Sequence, residues 1–242
     1  MNRDALHDRA RGRGVNLPVY WLARAVLQPF FFLYLRMRRV GTEHMPTSGP
    51  VIFAANHRSF LDPFVIAMLQ RRPMYYVAKR ELFEHRLQGW ILNALGAFPV
   101  DRGQADGDMI ATAKAILARG DAVLIFPEGT RVRTGPLGTP KRGVGRLALE
   151  TGAPVVPVAV FGSDAVRRNW RVRPRRVSIR AGRPLTFPHL EQASPRLAQA
   201  VTDRIWPCVE LQWEWLGGAP PADRPAETVE LPQRVSRLRQ AA

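Results

Sequence analysis

Apolar residues along this chain fall into short runs of two kinds, and the two kinds alternate. Residues 51–55, Val-Ile-Phe-Ala-Ala, form an uninterrupted apolar stretch of the kind expected for a strand covered on both faces. Residues 74–78, 98–100, 122–126 and 155–161 repeat that pattern, and 177–181 alternate apolar with polar. Between them the spacing becomes helical. Asp62-Pro63 reads as an N-cap and first helical position for a helix over 64–69. Residues 90–95 close at Gly96, and Ile110, Ala113, Ile116 and Leu117 mark a helix that Asp106 or Asp108 can cap and Gly120 ends. A further helix over 144–150 stops at Gly152. This alternation predicts an α/β fold, a single-domain sandwich around a largely parallel or mixed central sheet.

The two ends of the chain read differently. Residues 1–14 are polar, carry Arg3, Arg9, Arg11 and Arg13, and lack apolar periodicity, so they read as a flexible basic arm. Residues 17–35 make an apolar stretch of about 19 residues, close to the roughly 20 needed to cross a bilayer. Pro18, Arg24, Gln28 and Pro29 interrupt it, and a charge at mid-bilayer costs at least roughly 2.5 kcal/mol. An amphipathic helix lying in a membrane interface fits better, with Arg24 among headgroups, Trp21, Leu22, Phe30 and Phe31 inserted, and Arg36, Arg38 and Arg39 as a basic anchor. A core-packing helix is the alternative. From about 219 the chain is rich in Ala, Pro and charge and reads as a mobile tail. The organisation expected is therefore 1–40 as arm and membrane-association segment, 41–218 as catalytic domain, and 219–242 as tail.

Charge narrows the partners. The formal net charge is +16, and of 36 basic residues only Lys79, Lys114 and Lys141 are lysines. Such a surface attracts anionic headgroups by roughly 1 kcal/mol for each nearby Lys or Arg. It would attract nucleic acid as well, and the arginines around Trp170 (Arg167, Arg168, Arg171, Arg173, Arg175, Arg176, Arg180 and Arg183) raise that alternative, but no nucleic-acid motif accompanies them. Cys208 is the single cysteine, so the chain alone forms no disulfide, and no Cys/His spacing suggests zinc.

Two polar clusters follow strand-like runs. In the first, Asn56-His57-Arg58-Ser59-Phe60-Leu61-Asp62, five positions separate His57 from Asp62, about 140° apart on one continuous helix. The histidine must therefore precede the helix, in a loop that folds its ring onto the carboxylate. Asp62 would then accept the Nδ1 proton and leave Nε2 to take one from an acceptor hydroxyl, general-base catalysis worth about 10²- to 10⁴-fold. Read alone, Asp62 is equally a helix cap. In the second cluster, Phe126-Pro127-Glu128-Gly129-Thr130-Arg131, glycine permits close backbone approach and Arg131 can grip a phosphate bidentately. Glu128 can accept hydrogen bonds from ligand hydroxyls, hold Arg131, or form an idle surface pair worth about 0 to 1 kcal/mol. Arg102, after Phe98-Pro99-Val100-Asp101, is a second phosphate candidate.

Together these segments resemble the NHxSxxD and FPEGTR motifs of the 1-acylglycerol-3-phosphate acyltransferase family, with 98–102 and 155–158 similar to two further blocks. The resemblance spans roughly residues 40 to 190. It implies a fatty acyl transfer from a thioester, acyl-CoA or acyl-carrier protein, to the free hydroxyl of a lysophosphatidic acid-like acceptor, giving phosphatidic acid. Glycerol-3-phosphate, a lysophospholipid or a non-glycerol lipid are alternative acceptors of the same chemistry. It implies His57 as base and Asp62 as its orienter. Arg102, Glu128, Gly129, Thr130 and Arg131 are implied as the acceptor-phosphate site, and Lys79 as an assisting cation nearby. It also implies no metal or bound cofactor, and a peripheral or monotopic enzyme on the cytoplasmic face of the plasma membrane, bound to anionic lipids.

Overall fold

A computed structural model describes residues 3–100, 107–168 and 170–220. Arg102 and the tail beyond 220 lie outside the described residues. The strands are β1 (Arg38–Val40), β2 (Val51–Ala55), β3 (Met74–Lys79), β4 (Ala97–Val100), β5 (Ala122–Ile125), β6 (Val155–Phe161), β7 (Arg167–Arg168), β8 (Arg171–Val172) and β9 (Ser178–Ala181). The helices are α1 (Arg3–Gly12), α2 (Leu17–Pro29), α3 (Asp62–Ala67), α4 (Arg86–Ala94), α5 (Gly107–Ala118), α6 (Gly143–Thr151) and α7 (Pro195–Trp215).

Seven strands pair in the order β1-β9-β6-β2-β5-β3-β4, and β7 with β8 forms a separate small hairpin. All neighbours in the large sheet run parallel except β6 and β9, which are antiparallel, so the sheet is mixed. The alternating side chains of each strand feed two apolar cores. Val51, Phe53 and Ala55 face one core with α3 and Phe31, while Ile52 and Ala54 face the other with α5, α6 and α7. Because helices cover both faces, β2 and β5 contain no exposed position, which is why their sequences show no polar alternation.

From β2 the chain crosses outward to β3 and β4, returns to β5 beside β2, and then passes to β6 on the other flank of β2. The carboxyl ends of β2 and β5 therefore lie side by side, with Ala54 opposite Ile125, at the point where the connections diverge. Ligands of open α/β sheets bind in such crevices.

The ends of the chain depart from expectation. Residues 3–12 form a helix instead of a flexible arm, because Leu6 and Ala10 are buried against the domain and His7 Nδ1 meets Thr112 Oγ1 at 2.8 Å. The 17–35 segment is helical throughout, ending in a π-helical turn over Phe30–Tyr34 that follows Pro29. Its two sides behave differently. Phe31 is fully buried in the core, and Arg24 donates to the carbonyls of Ala67 and Gln70 at 2.8 and 2.7 Å, at the carboxyl end of α3, so neither is available to a lipid phase. Leu22 and Val26 remain exposed along the opposite side, and Leu17 and Trp21 are exposed as well, the Trp21 ring lying 5.7 Å from the Arg24 guanidinium. Among the described residues no helix is long and apolar enough to cross a membrane.

The 21-residue helix α7 was not foreseen, although Ser194 caps it by accepting from the Leu197 amide at 3.3 Å and Pro195 opens it. It packs closely on α6, where the Gly145 amide donates to Thr202 Oγ1 at 3.1 Å. A Cβ at position 145 would collide with the Ala198 carbonyl oxygen. Gly145→Ala is accordingly expected to destabilise the fold by about 1–3 kcal/mol through overpacking. Unchanged urea unfolding of that variant would refute the close helix contact.

Candidate active site

Asn56 decides where the chain leaves the sheet. Its buried side-chain amide donates to the Val160 carbonyl at 3.1 Å and accepts from the Val160 amide at 2.8 Å. The side chain thus completes the ladder to β6 in place of backbone, and residues 57–61 are free to turn above the strand ends.

The ring of His57 is folded onto Asp62 as the loop argument expects. Asp62 Oδ2 accepts from His57 Nδ1 at 2.9 Å and from the amides of Arg58 and Ser59, both at 2.7 Å. Asp62 Oδ1 accepts from Ser163 Oγ at 2.6 Å. Asp62 has no exposed surface, and four donors compensate its burial. It is not the helix cap the sequence suggested: Leu61 holds that position without a side-chain bond, and Asp62 is the first helical residue reaching back into the loop. One face of the imidazole stacks on Phe126, with centroids 4.0 Å apart and planes at 17°.

The second motif grips the backbone of the first. Glu128 Oε2 accepts from the His57 amide at 2.6 Å, Oε1 accepts from the Gly138 amide at 2.8 Å, and the Val132 amide donates to the His57 carbonyl at 2.9 Å. Both backbone groups of the histidine are therefore held from residues 128–132. Each carboxylate oxygen of Glu128 thus serves a backbone amide in a buried setting, a structural task that the sequence did not suggest. Burial pushes its carboxyl above the usual glutamate range, opposed by the Gly138 and His57 amides and by the Arg58 guanidinium. Gly129 turns the chain in the left-handed region at φ 69°, and the Lys141 amide donates to the Pro127 carbonyl at 2.8 Å. A Cβ at Gly129 would stand 3.1 Å from the end of the Lys141 side chain, which can shift, so it is the backbone conformation that calls for glycine here.

The other candidates are placed as follows. Thr130 is exposed and Arg131 half-buried, immediately before the amide that holds His57. Lys79 ends β3, two strands from β2, and pairs with Glu81 at 2.6 Å. Val155 to Val158 lie wholly within β6 as core. Sequence reasoning missed Ser163, which follows the left-handed Gly162 at the end of β6, a polar residue beyond a strand end of the kind that signalled the other motifs. It also missed Arg58. That buried guanidinium donates to the Gly135 carbonyl at 2.5 Å and lies 4.5 Å from the centre of the Trp213 ring. The carboxyl end of α7 is thereby packed against the site.

Chemically, an imidazole with its Nδ1 proton held by a buried carboxylate can accept a proton at Nε2 from a hydroxyl bound opposite Asp62. Among the described residues no group of three or more His, Cys, Asp and Glu side chains is arranged to hold a metal ion.

Residues 36–161 match the family model described as Acyltransferase. The chain is 29% identical over 164 residues to 1-acyl-sn-glycerol-3-phosphate acyltransferase BAT2, chloroplastic, of Brassica napus, covering 66% of this chain and 46% of the relative. It is 31% identical over 170 residues to the 1-acyl-sn-glycerol-3-phosphate acyltransferase of Bacillus subtilis, covering 67% of this chain and 83% of the relative. The chain thus matches about half the length of the plant relative and most of the bacterial one. The crystal structure of the 1-acyl-sn-glycerophosphate acyltransferase PlsC from Thermotoga maritima shares the fold, with a TM-score of 0.61 at 23% identity over 88% of this chain and 84% of that one.

Glu128→Gln would turn an NH₂ toward one of the two buried amides that the carboxylate now satisfies. A stability loss of about 1–3 kcal/mol is expected, with a larger fractional loss of turnover than of substrate binding. The wild-type margin over this variant should also depend on pH. Because the folded-state value lies above the ordinary 4.5, the unfolded chain ionises first as pH rises, so the contribution of Glu128 is fully present below 4.5 and declines as pH passes through the folded value. Urea unfolding of both proteins across the acid range checks this, and a margin that grows with pH would refute it.

Proposed function

This chain belongs to the acyltransferase family, and on that footing we propose that it transfers a fatty acyl group from a thioester to the free hydroxyl of 1-acyl-glycerol-3-phosphate, forming phosphatidic acid. The observation that carries this reading is the doubly fixed histidine, its ring held by Asp62 and its backbone by Glu128 and Val132. The names of the relatives supply the acceptor class.

In the proposed step His57 Nε2 takes the hydroxyl proton as the alcohol oxygen bonds to the thioester carbonyl carbon. The tetrahedral oxyanion then collapses, the carbon–sulfur bond breaks, and the imidazolium returns its proton to the departing thiolate. Asp62 stabilises the imidazolium between these events without itself being protonated. The ester and a free thiol are the products, and no protein nucleophile is needed. The acyl donor is acyl-CoA or acyl-carrier protein.

The acceptor's phosphate is assigned to Arg131, with Thr130 beside it and Arg102 as a second guanidinium. Lys79 is assigned an auxiliary role at the same sheet edge. The exposed apolar stripe of α2, Leu22 and Val26 one turn apart with Leu17 and Trp21 beside it, suits a helix lying in the headgroup region of the cytoplasmic leaflet of the plasma membrane. A peripheral or monotopic attachment there lets a lipid acceptor arrive and a lipid product leave without crossing water.

Two outcomes test this reading, using purified protein, a labelled acyl-CoA and a panel of lysolipids. His57→Ala is expected to lower turnover by about 10²-fold or more with folding retained by circular dichroism, and wild-type-like turnover would reject the base. Arg131→Ala is expected to raise KM for the phosphate-bearing acceptor far more than for the thioester, and equal rises for both would reject its phosphate role.

A further inference from the structure

The catalytic scheme leaves one exposed element without a task. β7 and β8 form a hairpin with Arg167 opposite Val172, and each strand is only two residues long. Such a hairpin adds little stability to a fold. It nevertheless displays Trp170, 79% exposed, with Val172 also exposed beside it. Arg171, Arg175 and Arg176 are exposed as well, and the Arg171 guanidinium lies 5.0 Å from the centre of the Trp170 ring. Eight arginines fall between positions 167 and 183, whereas Asp164 is the single acidic residue from 162 to 190. Exposed tryptophan interleaved with guanidinium groups in a segment poor in acidic residues is the composition suited to the boundary between water and a bilayer.

Position strengthens the case. The root of the hairpin is fixed to the catalytic loop, because Ser163 bonds Asp62, Val166 is buried in the core, and Arg167 lies 5.8 Å from the centre of the exposed Phe60 ring within the first motif. Its far side is fastened to the end of the N-terminal helical segment. Tyr34 donates to the Val172 carbonyl at 2.9 Å, Arg36 to the Pro174 carbonyl at 3.4 Å, and the Val177 amide to the Leu35 carbonyl at 3.2 Å. Leu33, 78% exposed, sits in that same segment. Apolar and cationic groups from two separate parts of the chain are thus joined in one surface beside His57.

We propose that the 167–176 hairpin is a docking site for an anionic lipid bilayer, in which Arg171, Arg175 and Arg176 engage headgroup phosphates while Trp170 and Val172 enter the interface. It is a second attachment, electrostatic where the α2 stripe is apolar, and it fixes which way the catalytic cleft faces. The proposal rests on the lipid-acceptor reading only for the purpose of that orientation. A basic nucleic-acid surface is the competing use, but the apolar side chains interleaved with the arginines favour lipid.

The full chain would be sedimented with vesicles of phosphatidylcholine alone and of phosphatidylcholine mixed with phosphatidylglycerol. Preference for the anionic vesicles is expected, and it should vanish in molar salt. The triple variant Arg171→Glu, Arg175→Glu, Arg176→Glu should bind anionic vesicles on the order of 10²-fold more weakly, with its melting temperature and its binding to neutral vesicles unchanged. Trp170→Ala should weaken binding to both compositions. A wild type indifferent to phosphatidylglycerol, a triple variant that sediments like wild type, or an equal loss on both vesicle types would overturn the proposal. Tighter binding to duplex DNA than to the anionic vesicles at the same salt would also overturn it. Vesicle binding requires no turnover, and acylation of a short-chain soluble acceptor by the triple variant should match wild type, so failure here is distinguishable from failure of the acyl-transfer reading.

Discussion

The geometry of the site depends on one buried carboxylate that binds backbone at two places. Glu128 accepts the amide of His57 and so fixes the backbone from which the imidazole projects, while the neighbouring Val132 amide holds the carbonyl of the same residue. Asp62 sets the ring and also holds the next two amides of the loop, those of Arg58 and Ser59. Two carboxylates from separate segments thus hold the histidine and its loop, and both use charge-assisted bonds in a buried setting where such bonds are strong and their loss is costly. Burial raises the proton affinity of Glu128, and the amides it serves pull the other way.

The sheet makes this possible. Since β5 inserts beside β2, the loops that follow them are neighbours without any special connection between the motifs. Asn56 sharpens the geometry by completing the ladder to Val160 with its side chain, so that the loop starts from a fixed point. Arg58 and Trp213 add a third wall, packing the carboxyl end of α7 against the turn at Gly135.

The core strands and the His57–Asp62 pair were legible because each rests on a local rule. An apolar run bounded by turn residues is a strand, and a five-residue separation forbids a shared helix face. Helix α7 was missed because its apolar positions are interrupted by Pro207 and by polar side chains such as Gln212, which find partners only in the fold. The α1 segment reads as a polar arm because Leu6 and Ala10 are too few to register as a period, yet the domain buries both. The backbone role of Glu128 was hidden for a deeper reason. Its two partners are backbone amides, at His57 and Gly138, and a backbone donor leaves no residue type in the sequence to reveal it.

The span between the clamp and what it clamps also bears on how the protein matures. His57 and Glu128 are 71 positions apart, with the whole β3–α4–β4 excursion between them. A nascent chain that has emerged only as far as β4 already contains the imidazole and its aspartate, but not the residues that seat them. Contacts of such long sequence separation form late, after the loop entropy has been overcome. The seating of His57 is therefore deferred to the closing of the sheet, and a truncated or half-synthesised chain holds an unseated histidine.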